Sequence, residues 1–299
     1  MKVRVGIQLG VGNSPFDGAE RFWRTVDECE RLGFDSLWLS ERPSGRLPDS
    51  LSALAAIAGR TRRIKFGSSV LIVPAYNPVH LAKALATIDA LSGGRMLPAV
   101  GIGTDDPREL EALGIRKEER GRRLDEAIVL MKRLWTEEEV TFQGAFWSVS
   151  DFTLWPRPAG PLAHAVWAGG HSDAAHRRVG RLCDGWLPSS VTPAEVEAGI
   201  AAIRNYAADA GRHVPEDHYG ALIPVTFEPD PPPALRARRR DLDPADFAGI
   251  GSAAAMLAQA RRFVAAGATK LILVPVTPAD LAQLERLREE VAVPLEAGQ

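Results

Sequence analysis

Glu41, Ser68, Ser69, Thr104, Asp105 and Asp106 all stand where a short apolar run ends or is interrupted. Glu41 follows Ser36-Leu37-Trp38-Leu39-Ser40. The two serines break the run from Ile64 to Val73, and Thr104-Asp105-Asp106 follow the run from Met96 to Ile102. A carboxylate at such a strand end is placed for proton transfer, because partial burial lifts its pKa toward a working range. Each also has a plainer duty: Asp105 or Asp106 can cap the helix that Pro107 opens, and Glu41 can pair with Arg42. Trp38, Phe66 and Tyr76 could line a flat ring, although isolated aromatics usually serve the core.

Gly169-Gly170-His171-Ser172 joins an apolar run to a helix start. Unpaired N–H groups and the helix dipole make such a turn fit for an anion, and an ordinary turn capped by Ser172 fits it as well. Gly10-Val11-Gly12 and Gly101-Ile102-Gly103 also follow strands, but neither continues into the dinucleotide-binding glycine spacing. The first reads as a tight turn.

Several classes drop out. The six histidines include no pair at helical i, i+4 spacing and no His-Glu-x-x-His, so no metal site is expected. No Gly-x-x-x-x-Gly-Lys-Ser/Thr is present, which removes P-loop chemistry. Net charge is −2 over 299 residues, so nothing global favours nucleic acid or an anionic membrane. No apolar run is long enough to span a bilayer. The two cysteines, Cys29 and Cys183, sit in apolar-periodic stretches; that excludes a disulfide scaffold and fits a reducing cytoplasm. The N-terminus lacks a signal peptide's apolar core, which also points to the cytoplasm.

The elements that must position these groups alternate almost from end to end. Asp17 with Glu20 has capping-box spacing before the stripe Phe22, Trp23, Val26, Cys29 and Leu32, and Gly33 stops that helix. Asp49 and Asn77-Pro78 open two more helices. Later runs fall at Ala165–Ala168, Asp184–Pro188, Tyr219–Phe227 and Lys270–Val274. Helices are expected at Ser172–Leu182, from Thr192, at Ser252–Ala266 and from Thr277-Pro278. Val140–Val149 reads as a small hairpin. About eight strand–helix units, with strands this apolar, predict an α/β (β/α)8 TIM barrel: one domain over residues 1–299 with an insertion at about 105–160 after strand 4. The Pro/Arg stretch 228–248 reads as a loop. As a lid it would bring its arginines to an anionic ligand; as a solvated charged loop, the plainer reading, it would do nothing.

Taken in order, these segments resemble the luciferase-like monooxygenase superfamily of flavin- and deazaflavin-dependent enzymes. The most specific stretch runs from Gly67-Ser68-Ser69-Val70-Leu71 through Asn77-Pro78, Leu85-Ala86-Thr87-Ile88-Asp89 and Leu91-Ser92-Gly93-Gly94-Arg95 to Gly101-Ile102-Gly103. The second is Trp167-Ala168-Gly169-Gly170, followed by Gly180-Arg181-Leu182-Cys183-Asp184-Gly185-Trp186. Gly33-Phe34-Asp35-Ser36-Leu37-Trp38 and Gly267-Ala268-Thr269-Lys270-Leu271 support both.

The resemblance is closest to the branch that uses the deazaflavin coenzyme F420. It implies a non-proline cis peptide at Ser69-Val70 behind the cofactor ring and ring support from Ser68, Ser69, Val70 and Leu71. It further implies cofactor contacts at Gly103 and Thr104, and a phosphate held by Gly169, Gly170 and His171. The family commonly has a histidine at the end of strand two, where this chain has Glu41. A family carboxylate after strand four is matched by Asp106, with Asp105 as its neighbouring alternative.

Glu41 and Asp106 are therefore the expected catalytic acid/base pair of an oxidoreductase that moves a hydride between F420 and a small-molecule substrate. The arginine-rich composition goes with GC-rich bacteria, in some of which F420 is common. The alternatives are an FMN-dependent monooxygenase using O2 and reduced flavin, and a flavin-binding protein without catalysis. A homodimer is expected from the resemblance.

Overall fold

The computed structural model describes residues 2–9, 17–160, 162, 165–277 and 279–298. The Gly10-Val11-Gly12 turn and Pro278 lie outside them. Strands β1 (Arg4–Gln8), β2 (Ser36–Leu39), β3 (Lys65–Ile72) and β4 (Met96–Gly101) pair in parallel in that order. The sheet continues through β7 (Trp167–Ala168) and β8 (Gly185–Trp186). On its other side, β1 pairs with β11 (Lys270–Pro275), which pairs with β9 (Gly220–Thr226). Two parallel bridges, Trp186 to Tyr219 and Ser189 to Leu222, join the β8 side to β9 and close the ring. Eight parallel strands thus form the barrel. A ninth, β10 (Gly249–Ile250), adds to β9 at the rim.

Helices α1 (Ala19–Leu32), α2 (Ser50–Arg60), α3 (Pro78–Ser92), α5 (Arg120–Thr136), α6 (Asp173–Leu182), α7 (Pro193–Asp209) and α9 (Ala253–Ala265) cover the ring. Between β4 and β7, the insertion adds the short α4 (Pro107–Ala112) and an antiparallel hairpin, β5 (Val140–Gln143) with β6 (Ser148–Phe152). Residues of β2, β9 and β11 are buried along their whole length, as expected of strands covered on both faces. One apolar cluster fills the space between ring and helices. A second, Trp38, Ala99, Trp167, Leu187, Leu222, Ile272 and Val274, plugs the barrel's interior.

Local sequence explains most element ends. Asn77 Oδ1 accepts from the Val79 and His80 amides, with Pro78 at the first helical position of α3. Thr192 and Glu195 form a reciprocal capping box on α7, and Gly33 ends α1 in the left-handed region.

Four sequence expectations need correction. The Asp17–Glu20 box does not form: Gly18 is the N-cap of α1, and Asp17 pairs instead with Arg21, one turn on. Strands β7 and β8 are shorter than the apolar runs that contain them. The Val166 amide donates to the Asp184 carboxylate rather than to a ladder, and Pro188 has no N–H to give. The last helix begins at Leu281, not Thr277, because Asp280 and Gln283 make its capping box. That helix, α10 (Leu281–Arg286), widens into a π-helical turn over Leu287–Ala292 before α11 (Val293–Glu296), where Pro294 offers no amide to the helix ladder.

At the amino-end floor of the barrel, the buried Lys270 ammonium pairs with Asp35 and donates to Ser36 Oγ at 2.6 Å. Trp38 Nε1 donates to the same hydroxyl at 2.8 Å. Burial pulls the Lys270 ammonium down to about 8, with Asp35 opposing it. At the opposite end, the stretch after β9 folds on its own small core of Leu235, Phe247, Ala248 and Val276, and includes the short α8 (Pro233–Arg236).

Candidate active site at the barrel mouth

The carboxyl ends of the strands surround a cavity of about 200 Å³. Gln8 reaches it from β1, Ser40, Glu41 and Arg42 from the end of β2, Ser69 from β3, and Ser189 from beyond β8. Leu222 and Val274 of the interior cluster form its base, and Arg238 enters from the segment after β9.

One wall is built by an irregularity in β3. The Ser69–Val70 peptide is cis, where the resemblance puts it, and the β3–β4 register slips between Ser69 and Leu71. Ser69 Oγ donates to Gln8 Oε1 at 2.9 Å. Val70 is received by two glycines from other strands. A Cβ on Gly101 would lie 2.5 Å from Val70 Cγ2, and one on Gly169 would lie 3.0 Å from Val70 Cγ1. Gly103 is similarly filled by Ile72, whose Cγ2 would be 2.8 Å from an added Cβ. The glycines of two separate sequence motifs therefore form one cradle around the bulge. Ser68 and Leu71 are fully buried, and Ser68 Oγ donates to the Ala99 carbonyl. Those two residues can offer a ring only backbone.

Glu41 accepts from the Ile72 amide and from the Tyr76 hydroxyl. Burial raises its pKa above the ordinary carboxylate range, although both hydrogen bonds work the other way; Asp49 adds a smaller push upward. Tyr76 is raised in turn, by burial and then by the Glu41 charge. The mouth thus contains a carboxyl that takes up a proton more readily than an ordinary glutamate.

Asp106 does not line this cavity. Its carboxylate caps α4 by accepting from the Arg108 amide, and it pairs with the Arg108 guanidinium at 3.0 Å. The Arg108 hydrogen bonds hold its pKa below the usual carboxylate value. Asp105 is occupied by Arg120 and Lys117.

A network missed by the sequence reading ties Asp106 to the cavity lining through Arg42. Arg42 lines the cavity next to Glu41; its Nε lies 3.1 Å from Glu109 Oε1 and its Nη2 4.0 Å from Asp106 Oδ2. Glu109 is 4 % exposed and also accepts from Ser44 Oγ and, at 2.7 Å, from Thr104 Oγ1. Burial works against its charge, but these hydrogen bonds and Arg42 outweigh it and hold its pKa low. Its signal was only its place three residues after Asp106, which reads as the first turn of a helix. Gln8, lost inside the first apolar run, gave no signal at all.

The Gly169–Ser172 turn lies beside the bulge through the Gly169–Val70 contact. Gly170 has φ +91°, and its carbonyl accepts from Trp186 Nε1 at 2.8 Å. Ser172 caps α6 by accepting from the Ala175 amide, and His171 is exposed at the helix entrance. Among the described residues, no group of three or more His, Cys, Asp or Glu could hold a metal ion, and no helix is long and apolar enough to cross a membrane.

A family model described as luciferase-like monooxygenase matches residues 2–272. The chain belongs to the luciferase-like monooxygenase family. Among similar proteins, an F420-dependent glucose-6-phosphate dehydrogenase of Kineococcus radiotolerans is 34 % identical over 71 % of this chain and 65 % of its own length. One of Intrasporangium calvum is 40 % identical over 54 % of this chain and 51 % of its own. The chain thus spans less than two thirds of these first relatives.

Two solved structures carry the same luciferase-like barrel. An F420-dependent secondary alcohol dehydrogenase in complex with an F420–acetone adduct superposes with a TM-score of 0.83 at 18 % identity, covering 99 % of each chain. The coenzyme F420-dependent tetrahydromethanopterin reductase of Methanopyrus kandleri gives 0.80 at 17 %, covering 98 % of this chain and 99 % of the other. At such identities they establish the fold. The α/β luciferase-like TIM barrel read from the sequence is the fold found.

Proposed function

We propose that the chain is an F420-dependent oxidoreductase acting on a small organic substrate, with the ring of the deazaflavin lying across the barrel mouth. Three features of this chain fit such a ring: the bulge at Ser69–Val70, the side-chain-free cradle of Gly101 and Gly169 around it, and the Ser40 hydroxyl, buried in the cavity wall without a partner among the described residues. Backbone from Ser68 to Leu71 would support the ring, Gly103 and Thr104 would flank it, and Gly169, Gly170 and His171 would hold its phosphate at the α6 entrance. When bound, the deazaflavin supplies a two-electron hydride acceptor or donor at C5. The F420 assignment draws on the relatives at 34–40 % identity rather than on any ring-selecting side chain.

The protein's own chemistry is orientation and one proton. Glu41 handles the proton, since burial raises its pKa above the ordinary carboxylate range and its Tyr76 and Ile72 hydrogen bonds fix its position. Asp106, held ionised by Arg108, acts through Arg42 as part of that guanidinium's counter-charge. The raised, cavity-lining Glu41 is the observation that carries the catalytic reading.

Titration of purified protein with F420 and with FMN, followed by fluorescence, tests the assignment. Saturable F420 binding without FMN affinity is expected. Selective FMN binding would transfer the chain to the flavin monooxygenase reading.

A further inference from the structure

A separate cavity of about 340 Å³ lies at the amino-end floor of the barrel. Alternation along the strands sends a cation into it three times. On β1 the inward stripe carries Arg4 and Gln8, on β3 Lys65 and Ser69, and on β11 Lys270 and Val274. In each pair the second residue lines the mouth and the first lines the floor. Between the two cavities stands the interior plug. Trp38 and Trp167 of that plug form the inner wall of the floor cavity, beside Leu97 and Ala165. One side of the space is therefore cationic and the other aromatic and apolar.

The charges of the floor do not balance. Among the described residues, Asp35 is the one carboxylate of the lining, and Lys270 takes it. Arg4 gives Nη2 to the Asp217 carbonyl and, at 3.3 Å, to the Asp217 carboxylate, while 24 % of its side chain stays open. Lys65 is exposed, and its ammonium has no hydrogen-bond or ion-pair partner among the described residues. Three cations thus share two carboxylates, and two of the three are reachable from solvent. The opposite wall is preformed. His218 Nδ1 donates to the Asp184 carbonyl at 2.7 Å, and that ring stands 5.4 Å from the Trp167 ring, centroid to centroid.

We propose that the floor cavity is a second ligand site, remote from the mouth, for an aromatic carboxylate. A carboxylate at the Arg4 and Lys65 side supplies the missing negative charge, and a ring against Trp38 and Trp167 covers the apolar side. A neutral aromatic would leave the cations unmet, and a bare inorganic anion would leave the tryptophan wall unmet. The volume lies within the usual range for small-molecule sites, about 300–1,000 Å³. The inference stands independently of the proposed function, because the floor and mouth cavities share no lining residue.

The test follows the indole N–H signals of nitrogen-15-labelled protein during titration with benzoate, benzamide or acetate at equal ionic strength. Trp38 Nε1 donates to Ser36 Oγ, the hydroxyl that also receives Lys270, so its signal senses the site directly. Trp38→Phe and Trp167→Phe identify the two signals. Benzoate should shift both saturably, with a Kd on the order of 1 mM, as befits a ligand this small. Benzamide and acetate should bind about tenfold more weakly or worse, the first for want of charge and the second for want of a ring. Lys65→Glu should weaken benzoate by about tenfold, and the control Lys83→Glu, at an exposed position on α3, by less than about twofold.

Benzoate shifts confined to other indoles, or no saturable shift at all, would overturn the inference. Equal affinity for benzamide would do the same by removing the role of charge, and equal affinity for acetate by removing the role of the ring. Unchanged benzoate affinity in Lys65→Glu would place the carboxylate elsewhere, with the same result. If the ligand-free spectrum shows that Lys65→Glu disturbs the fold, the three-ligand comparison in wild type decides alone. Absence of F420 binding would sink the oxidoreductase reading and leave this one standing, since the titrations are made without cofactor.

Discussion

Tyr76 gives its phenolic hydrogen to Glu41, the same carboxylate that receives the Ile72 amide. Both partners come from the β3 end and the turn after it, so the strand that carries the bulge also fixes the mouth's proton carrier. Burial favours the protonated carboxyl and these two donors favour the ionised one; the balance leaves the pKa raised.

Glu41→Gln should therefore lower single-turnover hydride transfer by about 10²–10⁴-fold, the usual range for loss of a general acid or base. Tyr76→Phe removes a donor that stabilises the ionised form. The limb of the pH–rate profile that requires protonated Glu41 should then move to higher pH. Stability follows the same sign. A carboxyl raised in the folded state contributes fully below its ordinary pKa, and that contribution is lost as pH rises through the raised value. Denaturant melts from pH 4 to 8 should show this loss in wild type and a flatter profile in Glu41→Gln. Unchanged hydride transfer in Glu41→Gln would remove Glu41 from the chemistry.

The glycine cradle makes a sharper stability prediction. Gly101→Ala drives a Cβ to 2.5 Å from Val70 Cγ2, against a bulge already enclosed by Gly169. The expected cost is about 1–3 kcal/mol, typical of overpacking, together with weaker cofactor binding as the wall shifts. Gly59→Ala is the matched control. Gly59 lies within α2 with nothing within 4 Å of an added Cβ, so the change should stabilise by about 0.5–1 kcal/mol. Chemical denaturation of the two variants separates packing at the bulge from a general preference for alanine.

At the floor, Asp35→Ala would strand the Lys270 ammonium. Removing one member of a buried pair costs about 3–5 kcal/mol. Lys270 is held at about 8, below its ordinary value of 10.5, so the folded protein binds fewer protons than the unfolded chain between those limits. Its contribution is lost as pH falls through about 8 and grows as pH rises above it. The deficit of Asp35→Ala should accordingly be large at pH 7 and shrink above pH 8, where Lys270 is neutral with or without its partner. An equal deficit at pH 7 and pH 9.5 would show that the lost interaction is packing rather than charge.

Elements were legible in the sequence wherever local chemistry decides them. Asn77-Pro78, Asp49 and Thr192-Pro193-Ala194-Glu195 each announce a helix start, and the structure uses all three. Asp17–Glu20 has an equally good pattern, yet Gly18 takes the cap, because Asp17 finds Arg21 first. The same limit governs the site. Glu41, Ser68 and Ser69 were visible because each ends or interrupts an apolar run, and the place of the bulge came from the family resemblance. Glu109 was not, and Arg42 was read only as a possible partner of Glu41, since each is an unremarkable charged residue until the barrel closes. Only then does a helix residue, Glu109, meet a loop 65–67 residues earlier in the chain.

Glu109 is the residue on which that long-range network depends. It holds Ser44, Thr104 and Arg42 together on one carboxylate, and Arg42 in turn faces the mouth beside Glu41. Glu109→Gln keeps the shape but replaces an acceptor of three donors by an amide that can accept at only one end. The expected cost is about 1–3 kcal/mol, as for a buried hydrogen-bonding group left partly unsatisfied. Glu109 has a lowered folded pKa, so its contribution is present above the ordinary glutamate value and is lost as pH falls through the lowered one. The gap between wild type and Glu109→Gln should therefore be constant from pH 6 to 8 and close in acid. A double-mutant cycle with Arg42→Ala measures how much of it passes through the guanidinium. If Arg42 is positioned by Glu109, the Glu109→Gln change should alter KM and kcat only while Arg42 is present, and a purely structural Glu109 would alter both backgrounds alike.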